Sequence, residues 1–84
     1  MLKEREASVL TVLVEYIKEN EYPPSFREVM ARTGITTTSL IHYYYDNLEE
    51  KGYIVKTGNK SRAIKVLPKA RSWYNEQSEQ VSFI

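Results

Sequence analysis

Residues 25–52, SFREVMARTGITTTSLIHYYYDNLEEKG, decide the fold of this 84-residue chain. Ser25 and Glu28 stand at capping-box spacing, at which each side chain satisfies a free backbone amide of a helix's first turn. The short helix so opened carries Phe26, Val29 and Met30 as core candidates. It stops at Gly34, the residue type that most readily takes the left-handed conformation of a helix end. After Ile35, Thr36 or Thr37 caps a further helix, which runs to Lys51 and ends at Gly52. Two helices broken by a glycine turn, the second with a polar outer face, make the pattern of a helix-turn-helix.

The second of these helices has two distinct faces. Counting about 100° per residue from Ile41 places Ile41, Tyr44, Tyr45 and Leu48 on one apolar stripe. Ser39, Tyr43, Asp46 and Glu50 lie opposite, with His42 flanking them. A helix that reads base edges in the major groove needs hydrogen-bonding groups on such a face near its N-terminus, although an ordinary solvated face would have the same composition.

Upstream, over residues 3–20, Leu10, Leu13, Val14 and Ile17 fall on one side at helical spacing with Val9 and Tyr16 at its edge. Ser8, Thr11, Glu15, Lys18 and Glu19 take the other side, where Val12 is an exception. This helix should end near Asn20, because Pro23 and Pro24 follow and the residue before a proline is pushed out of the α region.

Downstream, residues 53–57 and 63–67 are rich in β-branched and aromatic side chains and are joined by Gly58, Asn59, Lys60, Ser61 and Arg62, which predicts a hairpin. Ile64 and Val66 alternate with Lys65, so one side covers the helices while the other meets solvent. The basic tip could simply guard an edge strand against aggregation. Beside a helix-turn-helix it reads better as a wing on phosphate or in the minor groove. The expected fold is therefore mainly α with a small β-hairpin, a three-helix winged helix-turn-helix over residues 1–68. Residues 69–84 are expected to form a tail, frayed by default. Its Trp73, Tyr74, Val81, Phe83 and Ile84 are nevertheless too apolar for a typical disordered end. They mark it as a segment that docks on its own domain, at Val12, or pairs two copies into a homodimer.

Charge sharpens this picture. The net charge of +1 conceals a split: residues 1–50 hold five basic and nine acidic side chains, whereas residues 51–75 hold seven basic ones and no acid. A concentrated positive segment suits a phosphate-binding surface, and a solvated charge run would show the same count. A chain this short buries only about 60–65% of its unfolded surface, which leaves little room for a catalytic cleft. With no cysteine and one histidine, neither a metal site nor a disulfide framework is expected. No apolar run approaches the roughly 20 residues of a membrane span, and no signal-type segment opens the chain. A cytoplasmic protein without cofactor, small-molecule substrate or enzymatic activity is expected. The run Tyr43, Tyr44, Tyr45 might suggest a nucleophilic tyrosine, but the arginine cluster or metal-binding histidines that such a site needs are not there.

Taken together, these residues resemble the N-terminal DNA-binding domain of the LexA family of bacterial SOS-response repressors, over about residues 3–67. The resemblance is carried by Pro23 and Pro24 before a capped Ser25, by Arg27, Glu28, Arg32 and Gly34, by Leu48, Lys51, Gly52 and Ile54, and by Ser61, Arg62 and Ile64. It implies a third helix in the major groove and a wing along the backbone. Carried over by position, Thr37, Ser39, Leu40, His42 and Tyr43 are the base-contacting candidates. The family, however, has acidic residues at positions 42 and 43, asparagine at 39 and proline at 38, so a different operator is implied. On this length the serine-lysine self-cleaving domain of that family is not expected.

The expected function is that of a sequence-specific double-stranded DNA-binding protein, a transcriptional repressor. Lys51, Lys56, Lys60, Ser61, Arg62 and Lys65 would hold the DNA backbone. The alternative is a protein-interaction winged helix, an antirepressor or adaptor, that uses Tyr43 and the apolar tail.

Overall fold

The second and third helices begin and end on residues suited to those places. The computed structural model describes residues 2–58 and 62–82, with side chains described as far as residue 77. Helix α1 spans Glu4–Asn20, α2 Phe26–Thr33 and α3 Thr38–Glu50; strands β1, Ile54–Lys56, and β2, Ile64–Val66, follow, and α4 spans Pro68–Ser82. The capping box of α2 is formed: the Glu28 N–H donates to Ser25 Oγ at 3.2 Å and the Ser25 N–H donates to the Glu28 carboxylate at 2.8 Å. Gly34 ends α2 at φ +78°, and its N–H closes on the Met30 carbonyl at 2.9 Å. Of the two threonine candidates, Thr37 is the cap of α3, its Oγ1 accepting the Leu40 N–H at 3.2 Å.

Around these boundaries one core forms. It joins Val9, Leu10, Leu13 and Val14 of α1, Val29 of α2, Ile35 of the turn, Ile41, Tyr45 and Leu48 of α3, Ile54 and Ile64 of the strands, and Ala70 of α4. Helices α1, α2 and α3 pack pairwise, and β1 lies against α3. The two strands pair antiparallel with Ile54 opposite Val66 and Lys56 opposite Ile64. Val55 and Lys65 face each other on the outer side, so the alternation read from the sequence sets which face covers the helices.

The chain departs from a three-helix plan at residue 68. Pro68 opens a fourth helix, at a position where its fixed φ and missing N–H cost nothing. Helix α4 packs on α1: Ala70 is fully buried, and Trp73 and Tyr74 are half-buried against the core. The Tyr74 hydroxyl donates to Glu15 at 2.8 Å, and the Lys18 ammonium sits 5.5 Å from its ring centroid. Val12, the exception on the polar side of α1, also packs against the core and borders the same groove as Trp73. Its neighbour α4 accounts for an apolar residue at that position. The side chain of Val81, and Phe83 and Ile84 altogether, lie outside the described residues.

Candidate nucleic-acid interface

The start of α3 and its N-cap leave five candidate side chains open to solvent. Thr37, Ser39, Leu40, His42 and Tyr43 are all exposed, Leu40 by 42% and Tyr43 by 53%, while Ile41 and Tyr45 between and behind them are buried. Two of the five are held from the side. The His42 ring meets Phe26 edge-on at 4.7 Å, and the Tyr43 ring meets Tyr44 edge-on at 5.4 Å. Tyr44 itself is half-buried, at the border between this face and the core. The face thus presents hydroxyl, imidazole and phenol groups beside an aliphatic side chain, able to meet both hydrogen-bonding edges and methyl groups.

Farther along α3 the acids serve the hairpin. The Lys56 ammonium pairs with Asp46, and the Lys56 N–H donates to Glu49 at 2.8 Å, so β1 is hooked to α3 through two carboxylates. These contacts offset negative charge on α3, and they also engage a basic side chain expected on the DNA backbone.

Lys51 is more firmly engaged. Its ammonium lies 2.6 Å from Glu6 Oε1, and Glu6 is only 1% exposed. Asn47 Nδ2 donates to the other carboxylate oxygen at 3.0 Å, and the Lys3 N–H donates to Oε1 at 3.2 Å. The hydrogen bond from Lys51 holds the Glu6 carboxyl below the usual carboxylate range against the opposing effect of burial. Nothing in the sequence singles out Glu6, which looks like any acid in the first turn of a helix.

Arg62 reaches back across the molecule. One guanidinium nitrogen lies 2.7 Å from Glu28, a second donates to the Pro23 carbonyl at 2.7 Å, and the group sits 5.0 Å from the Tyr22 ring centroid. Glu28 also accepts from the Tyr16 hydroxyl; this bond, then those at Ser25, bring its carboxyl down to about 2. The same contact raises the Tyr16 phenol. Lys65 is exposed on the outer face of the hairpin with no acidic partner among the described residues. Lys60 and Ser61 lie outside the described residues.

The structure therefore leaves the five candidates exposed at the start of α3, and it gives Lys51, Lys56 and Arg62 partners within the chain. Among the described residues there is no cluster of histidine, aspartate and glutamate fit to hold a metal ion, and no helix is long and apolar enough to cross a membrane.

Comparison with known proteins follows the same outline. The chain is 43% identical over 67 residues to the LexA repressor of Desulforamulus reducens, covering 80% of this chain and 31% of that protein. It is 39% identical over 83 residues to the LexA repressor of Pelotomaculum thermopropionicum, covering 99% of this chain and 38% of the relative. The chain thus spans about a third of the length of these relatives. A crystal structure described only as that of a hypothetical protein superposes with a TM-score of 0.82 at 26% identity, over 98% of this chain and 25% of that one. The profile of the LexA DNA binding domain matches residues 1–63, from before α1 to the foot of β2. With a winged helix-turn-helix bearing an exposed face on α3 and this match over most of its length, the chain belongs to the LexA DNA-binding domain family.

Proposed function

We propose that this domain binds double-stranded DNA sequence-specifically and acts as a transcriptional repressor, with α3 in the major groove and the hairpin along the backbone. The observation that carries this reading is the exposed face of Thr37, Ser39, Leu40, His42 and Tyr43 at the start of α3, in a chain of this family. Ser39, His42 and the Tyr43 hydroxyl would hydrogen-bond base edges, while Leu40 and the Tyr43 ring would meet thymine methyl groups. Thr37, which already caps the helix, keeps its hydroxyl proton for a base or phosphate at the helix N-terminus. Lys60, Ser61 and Lys65 would hold phosphates from the hairpin, with Lys56 shared between Asp46 and DNA. Lys51 is committed to Glu6 and serves the scaffold first.

One such domain covers few base pairs, so useful specificity calls for two copies on a two-fold symmetric site. Trp73 and Tyr74 pack on their own core, which leaves any pairing by the tail to its remaining residues. The exposed Leu40 and Tyr43 also suit a protein partner, the second reading. Selection of bound sequences from a random duplex pool separates the two: a two-fold symmetric product is expected, and a pool that never converges would contradict sequence-specific binding.

A further inference from the structure

The hairpin is hooked at two places, and the two hooks differ. β1 is tied to α3, the reading helix, through Lys56 with Asp46 and Glu49. The strand that returns from the hairpin loop is tied elsewhere, through Arg62 to the corner where α1 turns into α2.

The geometry of that second tie is selective. A guanidinium offers five donors in a rigid plane, so one side chain can meet two acceptors at once and still lie over an aromatic ring. Arg62 does all three, at Glu28, at the Pro23 carbonyl and at Tyr22. The acceptors are fixed without its help. Glu28 is held by the Ser25 N–H and the Tyr16 hydroxyl, and Pro23 begins a double proline whose φ angles are locked. A phosphate would have to compete for Arg62 with the Glu28 carboxylate and the Pro23 carbonyl that already fix the plane of its guanidinium.

We propose that Arg62 is a positioning residue that clasps the hairpin to the α1–α2 corner through Glu28 and Pro23, sets the angle at which the hairpin meets DNA, and gives no phosphate contact of its own. This inference rests on the DNA-binding function proposed above. The clasp acts next to the strand pairing: Arg62 precedes Ala63, whose carbonyl accepts the Thr57 N–H at 2.8 Å. Both partners are partly exposed, 46% for Arg62 and 33% for Glu28, so breaking the clasp loosens the hairpin without unfolding the domain.

The test measures affinity and its salt dependence on a duplex selected from a random pool by the wild-type protein. The variants are Arg62→Ala, Arg62→Lys, Glu28→Gln and Arg62→Ala with Glu28→Gln. Glu28→Gln keeps an acceptor for the Ser25 cap and removes a negative charge, which on charge alone would tighten binding. A clasp predicts that Arg62→Ala and Glu28→Gln each weaken binding about three- to fivefold, the size of an exposed ion pair. The salt slope should stay unchanged, and the double variant should be no worse than either single one. Arg62→Lys should restore little, because a lysine keeps the charge and loses the fork. A fall of about 1 in the salt slope for Arg62→Ala, with tighter binding for Glu28→Gln, would instead make Arg62 a phosphate ligand and overturn the proposal. Unchanged affinity in both would overturn it equally. Hydrogen exchange of the Thr57 amide in the free protein reads the clasp without DNA and should quicken in both single variants. If the wild type binds no duplex, the proposed function fails on its own, and unchanged exchange at Thr57 would then dispose of the clasp as well.

Discussion

The ammonium of Lys51, at the C-terminal end of α3, lies 2.6 Å from the carboxylate of Glu6 in the first turn of α1, a side chain 1% exposed. The two residues are 45 positions apart, so the pair closes the bundle by joining its first helix to its third. A buried carboxylate is tolerated when its oxygens are all occupied. Here Lys51, Asn47 and the Lys3 N–H occupy them.

Replacing Glu6 with glutamine should therefore destabilise the domain by about 1–3 kcal/mol, the cost of leaving buried polar partners mismatched. Its carboxyl is held below the ordinary value of 4.5, so the unfolded chain binds the proton more tightly. The stabilisation is present above that value and is lost as pH falls below it. Glu28, brought down to about 2, acts in the same sense between 4.5 and 2. Urea unfolding followed over this acid range should show stability rising with pH in the wild type and a shallower rise in Glu6→Gln.

Tyr45 offers a contrasting case. Its ring is 1% exposed and packs 5.7 Å from Phe26, yet its hydroxyl is buried without a hydrogen-bond partner among the described residues, and burial pushes the phenol well above its usual range. Tyr45→Phe keeps the ring and removes the orphaned oxygen, so it should be neutral or stabilise by up to about 1 kcal/mol. Thermal unfolding checks this, and a marked loss of stability would show that the hydroxyl is satisfied in solution.

At Gly34, in the turn between α2 and α3, the demand is on backbone conformation and not on space. Gly34 has φ +78°, and a methyl group added there would meet nothing within 4 Å. Gly34→Ala should cost about 1–2 kcal/mol from the left-handed conformation, and Gly34→Asn less. Chemical denaturation of the two variants side by side separates this cost from any steric one.

For α4, Trp73→Ala should cost about 2 kcal/mol, below the range for a fully buried tryptophan because this ring is only half-buried. Since the ring packs on its own core, light scattering should give the same mass for the variant as for the wild type.

Much of the fold is written locally in the sequence. Ser25 with Glu28, Gly34, Gly52 and the alternation of Ile64, Lys65 and Val66 each act within a few residues, and each takes the form that such signals predict. The departures come from distance. Lys51 and Arg62 look like free cations in a charge count, because Glu6 and Glu28, their acceptors, lie far away in the chain. Helix α4 did carry a local mark, since Ala70, Trp73 and Tyr74 stand at helical spacing. Their polar surroundings made that stripe narrow, and what orders it is the face of α1 on which it packs. On α3 the exposed face is legible from periodicity, whereas the bases it would read are not, because residue type alone leaves several partners open.

Whether this domain binds DNA through the face of α3 and its basic hairpin is decided by titrating a labelled duplex with the wild-type protein at a series of salt concentrations and following fluorescence anisotropy. Binding is expected at low salt and should weaken along a straight line of log affinity against log salt, with Lys65→Ala lowering the slope by about 1. No detectable affinity at low salt, or an affinity indifferent to salt, would contradict it.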